Sequence, residues 1–298
     1  MPAILVLMRR QLWFLALISL VAIAPQALQG QPADANPEGL TPAQAASLVE
    51  RALATEVTSA NSTGHPMRYR LHKTSPRLTS TKEIVETRDG DVARLVAVND
   101  QPLSPAAEQQ EQDRLNALMA DPSLQNHRKQ GENHDTGIVL KLLHMLPKAF
   151  LYQYAGAGMG PHGKMEKFTF KPNPSFSPPD FETQALTALD GELWVDAAQQ
   201  RVVRLEGYLQ QDTNYGLGIV GKLDKGGWVV IEQADAGGGA WRIVHVQMRM
   251  NLRVFWKNRN IDTLEDMSQF SSVPPGMDYR QAIQMLRAAP EGAAQANR

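Results

Sequence analysis

The stretch RIVHVQMRMNLRVFWK, Arg242 to Lys257, decides the fold class. Val244, Val246, Met248, Met250, Leu252, Val254 and Trp256 alternate with His245, Gln247, Arg249, Asn251, Arg253 and Lys257, and Phe255 is the one apolar residue in the second set. A period of two sends successive side chains to opposite faces of a strand, so this strand has one face on an apolar interior and one in water. Antiparallel sheets allow that, whereas parallel sheets are buried on both faces. Arg201 to Gln211 repeats the pattern, with Val203, Leu205 and Leu209 opposite Arg204, Glu206 and Gln210.

Outward from this strand, further strands are expected at Met67 to Leu71, Ile84 to Thr87, Val92 to Val98, Phe150 to Tyr154, Lys164 to Lys171, Gly191 to Val195 and from Lys222 or Trp228 to Gln233. Asp89-Gly90 suits a tight hairpin turn. Helices interrupt the strands. Thr41-Pro42-Ala43-Gln44 combines an N-cap, a first-turn proline and a capping-box glutamine, so a helix runs to about Ala54, apolar at Ala45, Leu48, Val49, Ala52 and Leu53. Ser104-Pro105 opens a second helix, which ends at Asp121-Pro122. A third spans about Gly137 to Leu146 and halts at Pro147, with a charged connection, Asn126 to Asp135, before it. No alternation of strand and crossover helix is visible, which argues against a doubly wound fold.

With 298 residues, 43% of them hydrophobic, the chain can bury a substantial core. Thirty Lys plus Arg against 31 Asp plus Glu leave no basic field, so nucleic-acid binding is not expected. The absence of cysteine excludes disulfides, thiolate metal sites and a cysteine nucleophile. At the N-terminus Arg9-Arg10 precede the uncharged run Leu12 to Ala24, which is short for a membrane span and is followed by Pro25. We read residues 1–30 as a cleaved export signal, with a mature N-terminus between about Gln31 and Asn36 and no transmembrane anchor after cleavage. Residues 31–40 are a linker, 41–272 one sheet domain with a helical insertion at 104–146, and 273–298 a short helix and tail. Loss of Arg9 and Arg10 makes the remainder three charges negative.

No motif fixes a reaction. The glycines of Tyr154 to Gly160 lead into a strand instead of a helix, so they read as a hairpin loop and not a phosphate cradle. His127 and His134, with Glu132 and Asp135, would meet a metal only if their segment folded back on itself. Asp262, Glu265 and Asp266 are interleaved with Ile261, Leu264 and Met267 at helical spacing, as in a short solvated helix. Neither metal nor cofactor is expected. Met248, Met250 and Trp256 could line a cavity for acyl chains, because the unbranched thioether adapts to ligands of variable shape.

The segment Leu189-Asp190-Gly191-Glu192-Leu193-Trp194-Val195-Asp196, a four-residue turn, then Val202-Val203-Arg204-Leu205-Glu206-Gly207, resembles the hairpin of the LolA/LolB-like periplasmic lipoprotein-localisation superfamily, which includes RseB-like sensors. The resemblance covers about residues 186–257. It implies an α+β fold, a strongly curved antiparallel sheet forming an open half-barrel whose concave apolar face binds lipid chains under helices. The expectation is an exported, periplasmic, non-catalytic protein binding a lipid or lipoprotein acyl chain through Leu143, Val246, Met248, Met250, Leu252 and Trp256. The alternatives are a regulatory or sensor protein with an envelope protein as partner, and an exported hydrolase.

Overall fold

The computed structural model describes residues 39–62, 65–160, 163–180, 182–215 and 221–288. The expected signal, most of the linker and the C-terminal tail lie outside the described residues. Helix α1 (Pro42–Ala60) starts at the capping box: the Thr41 hydroxyl accepts from the Gln44 N–H, and the Gln44 side chain accepts from the Thr41 N–H. It runs a turn and a half past Ala54 and buries the face read from the sequence. Strands β1 (Met67–Thr74), β2 (Thr79–Val85), β3 (Val92–Val98) and β4 (Gln101–Pro102) follow. Next come α2 (Pro105–Ala120) and α3 (Pro122–Ala149), then β5 (Phe150–Gly160), β6 (Gly163–Pro172) and a short 3-10 helix at Thr183–Ala188. The chain continues through β7 (Leu189–Asp196), β8 (Arg201–Leu209), β9 (Thr213–Tyr215), β10 (Gly221–Leu223), β11 (Trp228–Asp235), β12 (Trp241–Val254) and β13 (Lys257–Ser272), and ends in α4 (Tyr279–Ala288).

Among the described residues thirteen strands form one antiparallel sheet in the order β4-β3-β2-β1-β13-β12-β11-β8-β7-β6-β5, with β10 on the end of β12 and β9 on β10. Its edges, β4 and β5, do not meet, so the fold is an α+β open half-barrel. Those two edges are consecutive strands in the sequence, and α2 and α3 are the connection between them.

Four expectations change. The charged stretch Asn126 to Asp135 is helical, part of a single 28-residue α3. Asp121 caps it, Pro122 occupies its first turn, and one face of it grips the β2–β3 turn while Asn126, His127, Gln130, Asn133 and His134 stay exposed: Gln125 donates to the Asp89 and Gly90 carbonyls, Lys129 to that of Arg88, and Glu132 accepts from the Asp91 N–H. Pro147 does not halt the helix. It lies within the last turn, where the missing N–H forfeits one bond before the chain passes into β5. Asp262, Glu265 and Asp266 lie on strand β13, not on a helix, because pairing with β12 from Val254–Lys257 to His245–Asp266 overrides the helical spacing of their apolar neighbours. The glycines from Gly156 to Gly160 are also in a strand, the second half of β5, paired with β6 across a bulge.

In an antiparallel pair directly opposed residues share a face, and the register therefore sorts the helices. On the face of Phe168, Phe170 and Leu193, α1 and the C-terminal part of α3 bury Leu48, Val49, Leu53, Leu146 and Ala149 against β5–β8. On the opposite face, at the other side of the sheet, Val85 and Val92 are buried under Leu115 and Leu118 of α2 and Ile283 and Leu286 of α4. The sheet is thus covered on the expected face by one helix pair and on its back by a second.

The edges are finished differently. Along β3 the outward backbone groups are taken by side chains: Glu111 accepts from the Leu95 N–H at 2.8 Å, and Arg114 donates to the Ala93 carbonyl. Along β5, Leu151, Gln153, Ala155, Ala157 and Met159 are exposed, and Phe150 to Gly160 carries no charge.

Candidate functional site

Two rows of directly opposed residues cross the face covered by α1 and α3. One runs Tyr154–Phe168–Leu193–Leu205–Ile231–Val246–Glu265–Lys73, from β5 to β1. The other runs Tyr152–Phe170–Gly191–Gly207–Val229–Met248–Thr263. At Gly191 a Cβ would overlap the Glu206 carbonyl and touch the Phe170 ring, so the glycine in the Gly-x-Leu-Trp hairpin serves a close strand approach.

Cover thins along the first row. Phe168 and Leu193 are fully buried, Leu205, Ile231 and Val246 only half-buried, and the row ends in the ion pair Lys73–Glu265 at 2.6 Å. Met248 is half-buried beside Val246, while Met250 and Leu252 are buried with Leu209, Leu223 and Ile261 under the 3-10 helix. The result is an apolar strip that emerges from the core beneath α1 and α3 and stops at a pair of opposite charges.

Val246, Met248, Met250 and Leu252 therefore share one face, as their alternation requires. Leu143 lies elsewhere, partly buried on α3 against the core around α1. The expectation that Trp256 continues the inward set fails, because β12 ends at Val254 and Phe255-Trp256 form the turn into β13, which leaves the indole 83% exposed. The sequence reading missed Ile231, Lys73 and Glu265. Ile231 ends the continuous apolar run Trp228 to Ile231, which assigns no face, and Lys73 and Glu265 are 192 residues apart with no local pattern to join them.

The elements above the strip are fastened. Glu56, buried on α1, accepts from the Val202 N–H, from Arg201 at 2.9 Å and from Gln233. Lys141 of α3 pairs with Asp180 at 2.8 Å and Glu182 at 3.3 Å, just ahead of the 3-10 helix. Burial works against the Asp180 carboxylate, but hydrogen bonds from Lys141 and Thr183 outweigh it and hold its pKa below the ordinary value; hydrogen bonding to Asp180 raises that of Lys141. The Tyr152 hydroxyl donates to the Leu146 carbonyl near the end of α3, and burial pushes its pKa up.

The back of the sheet is polar along the adjacent row Lys167–Trp194–Arg204–Glu232–His245–Asp266–His72. Arg204 pairs with Glu232, and His245 meets Asp266 at 2.7 Å. His127 and His134 stand seven residues apart on α3, about two turns or 10 Å, too far to share one ion. Among the described residues no cluster of His, Asp and Glu could hold a metal, and no helix is long and apolar enough to cross a membrane.

No family model and no curated protein matches the chain. Among solved structures, one described as an outer membrane lipoprotein-sorting protein domain from Vibrio parahaemolyticus is similar at a TM-score of 0.28 and 11% identity, over 80% of this chain and 99% of that one. A DUF1329 family protein from Desulfovibrio piger is similar at a TM-score of 0.26 and 10% identity, over 76% of this chain and 92% of that one.

Proposed function

We propose that the chain is an exported, periplasmic carrier-type protein that binds the acyl part of a lipid or lipoprotein along Leu205, Ile231, Val246 and Met248, with no chemistry of its own. The observation that carries this reading is the thinning of cover along the first row: the strip is apolar, half-buried and ends at Lys73–Glu265, where a polar headgroup finds both a cation and a carboxylate. Burying a chain stabilises by about 0.8 kcal/mol per methylene, so a segment of about ten carbons offsets the ordering of a short covering helix. The mature protein is expected to bind a fluorescent fatty acid or lysolipid in the micromolar range. Met248→Arg is expected to weaken that binding at least tenfold with little change in thermal stability. Absence of displaceable binding by any acyl ligand removes the carrier reading.

A second reading, a regulatory protein with a protein partner, is favoured by the uncharged open edge of β5, which offers eleven residues for strand addition. A stoichiometric protein retained on purification from an envelope fraction, without lipid, would support it.

A further inference from the structure

We infer that the β12–β13 turn is a membrane-docking tip that seats Phe255 and Trp256 in the headgroup layer of an anionic phospholipid bilayer. Three independent features of the turn lead there. The two rings are 53% and 83% exposed, and their centroids lie 5.9 Å apart, so they touch each other at the tip of the hairpin while remaining open to water. The amphipathic indole of Trp is favoured at the membrane–water interface, and Phe is a common apolar neighbour in interfacial segments.

Second, Phe255 has φ +51° at the first central position of a two-residue turn closed by Val254 and Lys257. That position favours glycine, and a bulky residue there holds a sparsely populated conformation while about half of its surface stays open to water. The sequence keeps an aromatic ring where the backbone alone would select its absence.

Third, the tip is cationic. Lys257 is exposed, Arg259 is half-exposed, and no Asp or Glu occurs from Asn251 to Ile261. The nearby Lys222 is held by Asp212 and Asp224, so the field belongs to the hairpin itself. Lys and Arg beside interfacial aromatics are drawn to anionic headgroups within a Debye length. Two rings on a narrow turn fall far short of the ~800 Å² per partner of a stable protein interface, which favours a lipid surface over a protein. The tip also has reach: β1 stops at Thr74, opposite Leu264, and Lys257 to Thr263 extends about 23 Å further with no strand on that side among the described residues. Strand alternation places it at the end of the sheet where α3 passes into β5 and the 3-10 helix covers Met250 and Leu252.

The test is co-sedimentation of the mature protein with vesicles of phosphatidylcholine alone and of phosphatidylcholine with 30% phosphatidylglycerol. The expected result is binding to the anionic vesicles, weakened by salt and at least tenfold poorer on neutral ones. Phe255→Gly relieves the turn, so it keeps or raises the melting temperature while lowering vesicle binding about tenfold; Trp256→Ser lowers it similarly, and Lys257→Gln with Arg259→Gln reduces only the phosphatidylglycerol-dependent part. Lysolipid binding in solution stays unchanged in all of them, which separates this inference from the carrier reading. Binding that Phe255→Gly and Trp256→Ser leave intact, binding indifferent to lipid charge, or no binding to either vesicle overturns it.

Discussion

The two halves of the sheet bury opposite faces. In β5 to β8 the apolar residues Phe168, Phe170 and Leu193 meet α1 and α3, whereas at β2 and β3 Val85 and Val92 meet α2 and α4 on the other side. Between them β11, β12 and β13 belong to neither covering, and this is where the half-buried strip Ile231, Val246 and Met248 lies. The contrast shows how an open site arises in a sheet without a gap in its hydrogen bonding: two helix layers of opposite side leave the middle strands partly bare. Helix α3 serves both regions, holding the β2–β3 turn with its first half and joining the α1 core with its second.

The sharpest way to break this comparison is to unfasten one half. Glu56→Ala leaves the buried Arg201 guanidinium without its carboxylate and the Val202 N–H without its acceptor, and is expected to cost about 3–5 kcal/mol in urea denaturation. Arg204→Ala, on the solvent face, is expected to cost under about 1 kcal/mol. Equal costs would show that α1 is not pinned as described.

A smaller difference is expected within β12 itself. Met250→Asp places an unpaired carboxylate in the cluster beneath the 3-10 helix and is expected to destabilise by about 3 kcal/mol, while Arg249→Gln on the back face, which gives up only an exposed ion pair with Asp262, stays within about 1 kcal/mol. Chemical denaturation of the two variants checks the assignment of faces.

The smallest effect concerns the latch Lys141–Asp180. Because the folded Asp180 has a lowered pKa, its contribution is fully present above the unfolded carboxylate's value near 3.9 and is lost as pH falls through the lower folded value. Hydrogen exchange of Thr183–Ala188 is therefore expected to show constant protection from pH 5 to 8 after correction for intrinsic rates. In Lys141→Met the protection is expected to fall by a few-fold at most, since the pair is partly solvated.

Much of the fold was legible locally. Thr41 and Ser104 announce helix starts through capping chemistry, Asp89-Gly90 marks a hairpin, and the alternation of β12 places Val246, Met248, Met250 and Leu252 on one face. What stayed hidden depended on distant partners. The Asn126 to Asp135 segment looks solvated until the β2–β3 turn supplies acceptors for Gln125 and Lys129 and a donor for Glu132. Ile261, Leu264 and Met267 mimic a helix because two inward positions of the strand, Thr263 and Glu265, are polar and break the period of two; Lys73, across the sheet, makes Glu265 tolerable. Trp256 was misplaced for a simpler reason: alternation says nothing about where a strand stops.

The pairing of β1 with β13 also sets the order in which the molecule can assemble. The hairpins β1–β2, β2–β3, β5–β6 and β7–β8 close within short stretches of chain, yet the seam that unites the two halves joins Lys73 to Glu265, 192 residues further on. Loop closure of that length must precede any gain from the seam, and topologies dominated by such contacts fold slowly. Until Lys257–Ser272 is free to enter the sheet, β1 keeps an unpaired edge, and the early half of the chain waits as two hairpins without a barrel. Completion belongs to the last strand, so a chain interrupted before residue 257 lacks the junction between its halves and not merely its final element.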